Sequence, residues 1–243
     1  MIFPALACEL RVHARRIPLA ADAGGDIHDA LVTPFGVRLL IGDVMGSGLP
    51  ASETGSQVLA AWRELAMVEA SLPGIAVRLH TLISRSEHPE RFVTALLTGF
   101  GCGGADMVCC GHPPPLLLRG GTASFVETFP APPLGLLDLA DGWCTEFTVP
   151  FGSGDKLLMY TDGVTEARDS RGVYFPLAEH AVTALTAGPG PQPGQGPRPA
   201  PDRPTGPERQ TDADRLLDDV LDGLRAHVGG QQSDDILLLL AAR

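Results

Sequence analysis

Apolar positions along this chain change their spacing several times, which predicts alternating blocks of strands and helices. In the first block, residues 9–48, apolar runs at 31–33 and 37–41 flank the turn residues Pro34-Phe35-Gly36. Pro suits the second position of such a turn because its φ is already restricted. A two-residue loop would place Asp26 directly opposite Asp43, whereas a three-residue loop would place the two side chains on opposite faces.

Later blocks follow the same two periodicities. Residues 50–70 are predicted to form a helix, since Val58, Leu59, Trp62, Leu65 and Ala66 recur at helical spacing. Further helices are predicted at 75–84, 177–187 and from 211 or 212 to about 227. Strands are predicted at 92–100, 106–110, 116–118, 124–126, 144–149, 156–160 and 236–240.

Residues 188–210 interrupt the pattern because they are rich in Pro and Gly and have no apolar periodicity. Such a segment cannot bury enough surface to offset the entropy of ordering it. We interpret it as a disordered insertion, with a proline-rich docking ligand as the alternative. Because the last predicted strand carries part of the acidic pattern described below, the insertion is expected to lie within a single domain covering residues 1–243.

Composition narrows the class of protein. The net charge of −11 argues against binding to nucleic acids or to anionic membranes. No apolar run approaches the roughly 18 residues of a membrane span, and the first residues lack a basic signal-peptide region, so a cytoplasmic protein is expected. The five cysteines show no CxxC spacing. We therefore expect small buried side chains in a reducing compartment rather than a zinc site or a disulfide framework.

Four acidic segments stand at the edges of apolar, strand-like runs. They are Gly24-Gly25-Asp26, Ile41-Gly42-Asp43-Val44, Tyr160-Thr161-Asp162-Gly163 and Ser233-Asp234-Asp235-Ile236. One aspartate at a strand end is commonly a turn former. Four of them, from opposite halves of the chain, suggest a single shared site for hard divalent cations.

These segments and several others resemble, in order, the motifs of the PPM-type metal-dependent protein serine/threonine phosphatases, and especially their bacterial SpoIIE-like branch. The matching segments are Gly24-Gly25-Asp26-Ile27-His28-Asp29, Ile41-Gly42-Asp43-Val44-Met45-Gly46, Phe92-Val93-Thr94-Ala95-Leu96, Gly111-His112-Pro113-Pro114, Pro133-Leu134-Gly135, Tyr160-Thr161-Asp162-Gly163 and Asp234-Asp235-Ile236. The resemblance covers about residues 9–242, apart from the insertion.

The resemblance implies an α+β fold, a four-layer α-β-β-α sandwich of two antiparallel sheets flanked by helices. It also implies that Asp43 bridges two Mn²⁺ or Mg²⁺ ions and that Val44 offers its backbone carbonyl. Asp26 would bind one ion, and Asp162 and Asp234 the other. Two such ions can activate water for attack on a phosphoryl group, so no nucleophilic Ser or Cys is needed.

Other residues have less certain roles. Asp235 is either a metal ligand or a residue that supports the ligands, and we favour the supporting role. Thr161 and Gly163 are expected to shape the turn at Asp162, and Asp29 either to support the site or to be exposed. His112 is either a structural loop residue or a substrate-side residue, and His28 is expected at the surface. Two positions depart from the family pattern: Ser47 replaces a common His, which could slow turnover, and Phe175-Pro176 replaces a common Phe-Gly pair.

The resulting hypothesis is a phosphoserine/phosphothreonine protein phosphatase. By family resemblance, its substrate would be a phosphorylated anti-sigma-factor antagonist in a partner-switching pathway, and a regulatory protein could act on the helix at 50–70. One alternative is a catalytically weak regulatory binding module of the same fold. Another is a small-molecule phosphohydrolase that uses the same site.

Overall fold

The computed structural model describes residues 2–3, 9–19, 24–86, 90–101, 103–141, 143–186, 211–230, 232 and 234–243. The strands are β1 Ile2–Phe3, β2 Leu10–Ile17, β3 Asp26–Thr33, β4 Gly36–Val44, β5 Val93–Phe100, β6 Ala105–Cys110, β7 Leu116–Arg119, β8 Thr122–Phe125, β9 Glu146–Val149, β10 Lys156–Tyr160 and β11 Ile236–Ala242. The helices are α1 Leu49–Val68, α2 Leu72–Ser84, α3 Asp162–Thr165, α4 Leu177–Thr186 and α5 Asp212–Val228, with a 3-10 turn at Leu137–Ala140.

The strands form two antiparallel sheets. The first sheet has the order β1-β2-β11-β10-β7-β8, and the second has the order β3-β4-β5-β6-β9. Strands from the two ends of the described chain, β2 and β11, are neighbours in the first sheet. The sheets therefore bring acidic segments that are distant in sequence to the same end of the molecule.

Three apolar clusters hold the layers together. One lies between the sheets and includes Leu39, Leu96 and Leu239. A second joins the β3–β9 sheet to α1 and α2, and a third joins the β1–β8 sheet to α4 and α5. This arrangement confirms the expected α-β-β-α sandwich, in which each sheet buries one face against its partner and the other beneath helices.

The hairpin of β3 and β4 has the register that a two-residue loop requires. Thr33 pairs with Gly36, and Asp26 consequently pairs with Asp43. The Thr33 hydroxyl donates to the Gly36 carbonyl at 2.8 Å and accepts from the Phe35 N–H at 3.1 Å, which closes the turn. Gly36 has a φ of 108°, a backbone conformation that favours glycine. The prediction that the two aspartates face each other is confirmed.

Several boundaries differ from the sequence prediction. Helix α2 begins at Leu72 rather than at 75, because Ser71 caps it by accepting from the Gly74 N–H at 3.1 Å and Pro73 fits its first turn. The short helix α3, which starts at Asp162, was not predicted. The proposed insertion at 188–210 lies outside the described residues, and the single-domain boundary stays a prediction.

Helix α5 begins where a cap was predicted. The Thr211 hydroxyl accepts from the Asp214 N–H at 3.1 Å, and the Asp214 carboxylate accepts from the Thr211 N–H at 3.3 Å. This reciprocal capping box satisfies two backbone donors at the start of the helix. Leu216, Leu217 and Val220 then pack into the cluster against the sheet.

Candidate metal centre

Asp26 is anchored from both sheets. It starts β3, pairs with Asp43 of β4 and is only 5% exposed. From the other sheet, the Thr161 hydroxyl donates to Asp26 Oδ2 at 3.0 Å and accepts from the Leu237 N–H at 3.1 Å. Because the Thr161 hydroxyl accepts from one sheet and donates to Asp26 of the other, it holds the Asp26 carboxylate in place across the sandwich.

Gly25 is required by the close approach of two oxygens. A Cβ on Gly25 would lie 2.5 Å from Asp43 Oδ1 and 2.5 Å from the Val44 carbonyl oxygen. The Val44 N–H also donates to the Gly25 carbonyl at 3.1 Å. The Asp43 carboxylate and the Val44 carbonyl therefore both border the small space beside Gly25.

Asp162 and Asp234 meet on the other side of the site. Asp162 begins α3 directly after β10, and Asp234 precedes β11. A Cβ on Gly163 would lie 1.9 Å from the Asp235 carbonyl oxygen and 3.3 Å from Asp234 Cβ. The absence of a side chain at Gly163 thus allows the two acidic segments to pack directly against each other.

The carboxylates share one electrostatic environment. The pKa of Asp26 is raised to about 8, first by burial and then by the Asp43 charge, against the opposing Thr161 hydrogen bond. The pKa of Asp43 is raised to about 7, first by burial and then by the charges of Asp162, Asp234 and Asp235. The pKa of Asp162 is raised by burial and then by Asp234. Acidic groups from both sheets therefore repel one another, and a bound cation would relieve this repulsion.

Asp235 and Asp29 occupy different surroundings. Asp235 Oδ1 accepts from the Leu19 N–H at 2.7 Å, and its charge contributes to the raised pKa values of Asp26 and Asp43. Asp29 instead accepts from Arg63 Nε of α1 at 2.7 Å. The structure therefore brings Asp235 to the site and turns Asp29 towards the helix layer.

Ser47 and His28 are also placed by the structure. Ser47 is exposed in the bend between Gly46 and Gly48, whose φ values are 92° and 76°.

His28 is half-buried rather than a surface residue, because it lies on the same inward face of β3 as Asp26. Its pKa is lowered by burial and then by the charge of Arg16.

His112 is a buried neutral residue beside the site. It is 4% exposed, and its Nδ1 lies 3.1 Å from the hydroxyl of Thr94, which is the β5 residue paired with Asp43. Burial lowers the pKa of His112 to about 3, although the Tyr160 carbonyl opposes this shift. Its Nε2 makes no hydrogen bond of good geometry. At neutral pH this imidazole cannot supply a proton as an imidazolium.

Sequence reasoning missed Arg16. Its guanidinium lies 2.8 Å from the position of a Cβ on Gly24, and its charge lowers the pKa of Asp26. A signal was present in the alternation of β2, since Leu10, Val12 and Ala14 pack between the sheets and Arg16 continues that face. Arg16 itself is exposed near the end of the strand, where its charge reaches the acidic segments.

The donor set fits hard divalent cations. It consists of carboxylate oxygens and a backbone carbonyl, which are the ligands that Mg²⁺ and Mn²⁺ prefer. Within the described residues, no three acidic, His or Cys side chains are close enough together to form a finished cage. The oxygens thus approach from the two sheets without closing around a point.

Several solved structures are similar to this chain in fold. One of them contains the PP2C phosphatase domain and a fragment of the regulatory domain of the cell fate determinant SpoIIE from Bacillus subtilis. Its TM-score is 0.72 at 14% identity, with 96% of this chain and 62% of that chain covered. A structure of the RsbU and RsbW domains of Rv1364c from Mycobacterium tuberculosis has a TM-score of 0.75 and 24% identity, covering 96% of this chain and 60% of that chain. This chain thus spans about three fifths of each of these two.

A third similar structure is the catalytic domain of the serine/threonine protein phosphatase PstP in complex with two manganese ions. Its TM-score is 0.57 at 19% identity, with 96% of this chain and 97% of that chain covered. These structures share the fold of this chain, two antiparallel sheets flanked by helices. The Stage II sporulation protein E (SpoIIE) family matches residues 33–196, and the chain belongs to this family.

None of the helices within the described residues is long and apolar enough to cross a membrane.

Proposed function

We propose that this chain is a metal-dependent protein serine/threonine phosphatase that hydrolyses phosphoserine or phosphothreonine in a partner protein. The observation that carries the proposal is the pairing of Asp26 with Asp43. The pKa of Asp43 is raised by burial and by the charges of Asp162 and Asp234 from the other sheet. Buried carboxylates that repel one another need a cation to be ionised together. Membership of the SpoIIE family supports the same reading.

The residues of this chain would divide the work as follows. Asp43 lies between the two halves of the site, with the Val44 carbonyl beside it, and would contact two Mn²⁺ or Mg²⁺ ions. Asp26 would hold one ion, and Asp162 and Asp234 the other. When bound, the ions would lower the pKa of a water molecule and offset charge on the phosphoryl oxygens.

The surrounding residues would set the geometry. Thr161 holds the Asp26 carboxylate in place through its hydrogen bond. Gly25 and Gly163 allow the acidic segments to approach closely, because neither position has room for a Cβ. Asp235 adds negative charge and is itself held by the Leu19 N–H. This support matters because ligand orientation strongly affects metal affinity.

We further propose that the substrate is a phosphorylated anti-sigma-factor antagonist in the cytoplasm. Support comes from two similar structures: one contains RsbU and RsbW domains, and another is described as part of the bacterial stressosome, "a modular system that has been adapted to control secondary messenger signaling". A regulatory protein could bind at α1, where Leu49, Met67 and Val68 are exposed. Residues 1–243 would form one domain, consistent with the pairing of β2 and β11.

A second candidate function is a catalytically weak regulatory binding module. Two observations favour it: the site oxygens do not form a finished cage among the described residues, and Ser47 is an exposed hydroxyl at the start of α1. In this case the fold would bind the phosphoprotein partner without turning it over efficiently.

The test is phosphate release from a phosphoserine protein with and without Mn²⁺. We expect activity that depends on Mn²⁺ and is lost in Asp43→Asn. Asp29→Asn is the matched control, because Asp29 lies in the paired strand but contacts Arg63 instead of the site. Equal activity in wild type and Asp43→Asn would contradict the phosphatase assignment.

Mn²⁺ binding measured by calorimetry separates the phosphatase from the binding module, since the absence of binding at millimolar metal favours the binding module. A panel of free phosphomonoesters tests for a small-molecule phosphohydrolase.

A further inference from the structure

Two thiols from different parts of the chain are in contact beneath the helix layer. Cys110 ends β6, and Cys144 lies outside regular structure just before β9. Their Sγ atoms are 3.7 Å apart. Cys110 is 0% exposed and Cys144 is 8% exposed, and both belong to the apolar cluster that includes α1 and α2. Neither takes part in the acidic site.

The two thiols differ chemically. The contact between the two thiols, in which either sulfur can be the donor, lowers the pKa of Cys144. The same contact and burial raise the pKa of Cys110. Cys144 is also the more exposed of the two. Since the thiolate is the reactive form, Cys144 is the thiol that an oxidant would attack first.

The neighbouring Cys109 provides an internal contrast. It is adjacent to Cys110 but points to the opposite face of β6, into the cluster between the two sheets. Its Sγ donates to the His112 carbonyl at 3.1 Å, and burial raises its pKa. Cys109 therefore has similar burial, and among the described residues no thiol contacts it on its own side of the sheet.

We propose that Cys110 and Cys144 are a reversible oxidation site that closes to an intramolecular disulfide when a hydroperoxide reaches Cys144. The Cys144 thiolate attacks the peroxide oxygen, the O–O bond breaks, and Cys144 becomes a sulfenic acid with release of water or alcohol. The Cys110 sulfur then attacks the Cys144 sulfur and displaces hydroxide, which leaves as water with the Cys110 proton. Two thiols are oxidised, one hydroperoxide is reduced, and two hydrogen atoms are lost from the protein.

The required movement is small. A disulfide brings the sulfurs to about 2.0 Å, so the present separation must shorten by less than the width of one atom. Cys110 is held by the strand, whereas Cys144 lies in an irregular segment whose backbone is not fixed by a ladder. The bond would join the end of β6 to the chain entering β9. A thiol reductant would reverse it by exchange.

The test is peptide mapping of the full chain after exposure to hydrogen peroxide, followed by alkylation of the remaining thiols. We expect a linked pair of peptides that contain Cys110 and Cys144, a mass loss of two hydrogen atoms, and full recovery of both thiols on reduction. Cys109→Ser should keep the link, and Cys144→Ser should lose it. Because the wild-type measurement needs no variant, misfolding of a variant does not affect the result.

Other outcomes would overturn the proposal. They are a link from either thiol to Cys8, Cys102 or Cys109, stable overoxidation of Cys144 without a link, or full alkylation of both thiols after peroxide has oxidised exposed methionines. The mapping needs neither metal nor substrate, so it is independent of the phosphatase assignment.

Discussion

Replacing Thr161 by Val would remove one hydroxyl and keep nearly the same shape. The hydroxyl makes two buried hydrogen bonds, one to Asp26 Oδ2 at 3.0 Å and one from the Leu237 N–H at 3.1 Å. A hydrogen bond to a charged group contributes about 1.5–3 kcal/mol, and an unsatisfied buried N–H costs about 1–3 kcal/mol. The Asp26 bond opposes the rise in the Asp26 pKa to about 8. Thr161→Val should therefore raise this pKa further and hinder the ionisation that metal binding requires.

The expected result is Mn²⁺ binding weakened by roughly 10-fold to 100-fold at pH 7, the range typical for residues that orient metal ligands. Titration calorimetry at pH 7 and pH 9 would measure it. The deficit should shrink at the higher pH, because Asp26 then ionises more readily in both proteins. Thr161→Ser keeps the hydroxyl and should bind Mn²⁺ nearly as wild type does. Wild-type affinity in Thr161→Val at both pH values would refute the reasoning.

Three further predictions concern neighbouring residues. The pKa values of Asp26 and Asp43 in the folded protein, about 8 and 7, exceed the usual aspartate value. The metal-free protein should therefore lose stability as the pH rises from about 4 to 8, measured by unfolding of chelator-treated protein. A flat profile would contradict the raised values. Gly25→Ala should abolish Mn²⁺ binding in calorimetry, since its Cβ would lie 2.5 Å from two site oxygens, and undiminished affinity would contradict that contact. His112, with its pKa near 3, should show no imidazole titration by NMR between pH 5 and 8, and a midpoint in that range would count against its burial.

The local parts of the fold could be predicted because they depend on short stretches of chain. The turn at Pro34-Phe35 set the β3–β4 register, and that register alone placed Asp26 opposite Asp43. Helix α5 was also predictable, because its cap and its apolar stripe lie within one segment. Family resemblance added the four-layer arrangement and the expected ligand set, which local patterns did not contain.

Contacts across the sandwich could not be predicted in the same way. Thr161 and Asp26 are 135 positions apart, and their hydrogen bond exists only because the two sheets stack with these ends together. The same stacking places Arg16 beside Gly24. Periodicity shows which face of a strand is buried, but it does not show which residue of another sheet lies against it.

The sequence by itself determined most of the strands, the four longer helices and the acidic segments, because each follows from neighbouring residues. It limited the arrangement of Asp26 and Asp43 to two loop lengths, of which the structure has the one that pairs them. Only the tertiary structure decided that Thr161 holds Asp26, that Gly163 lets Asp162 approach Asp234, and that Cys110 contacts Cys144. These features arise from layer packing, where burial and close approach act between segments that no local pattern connects.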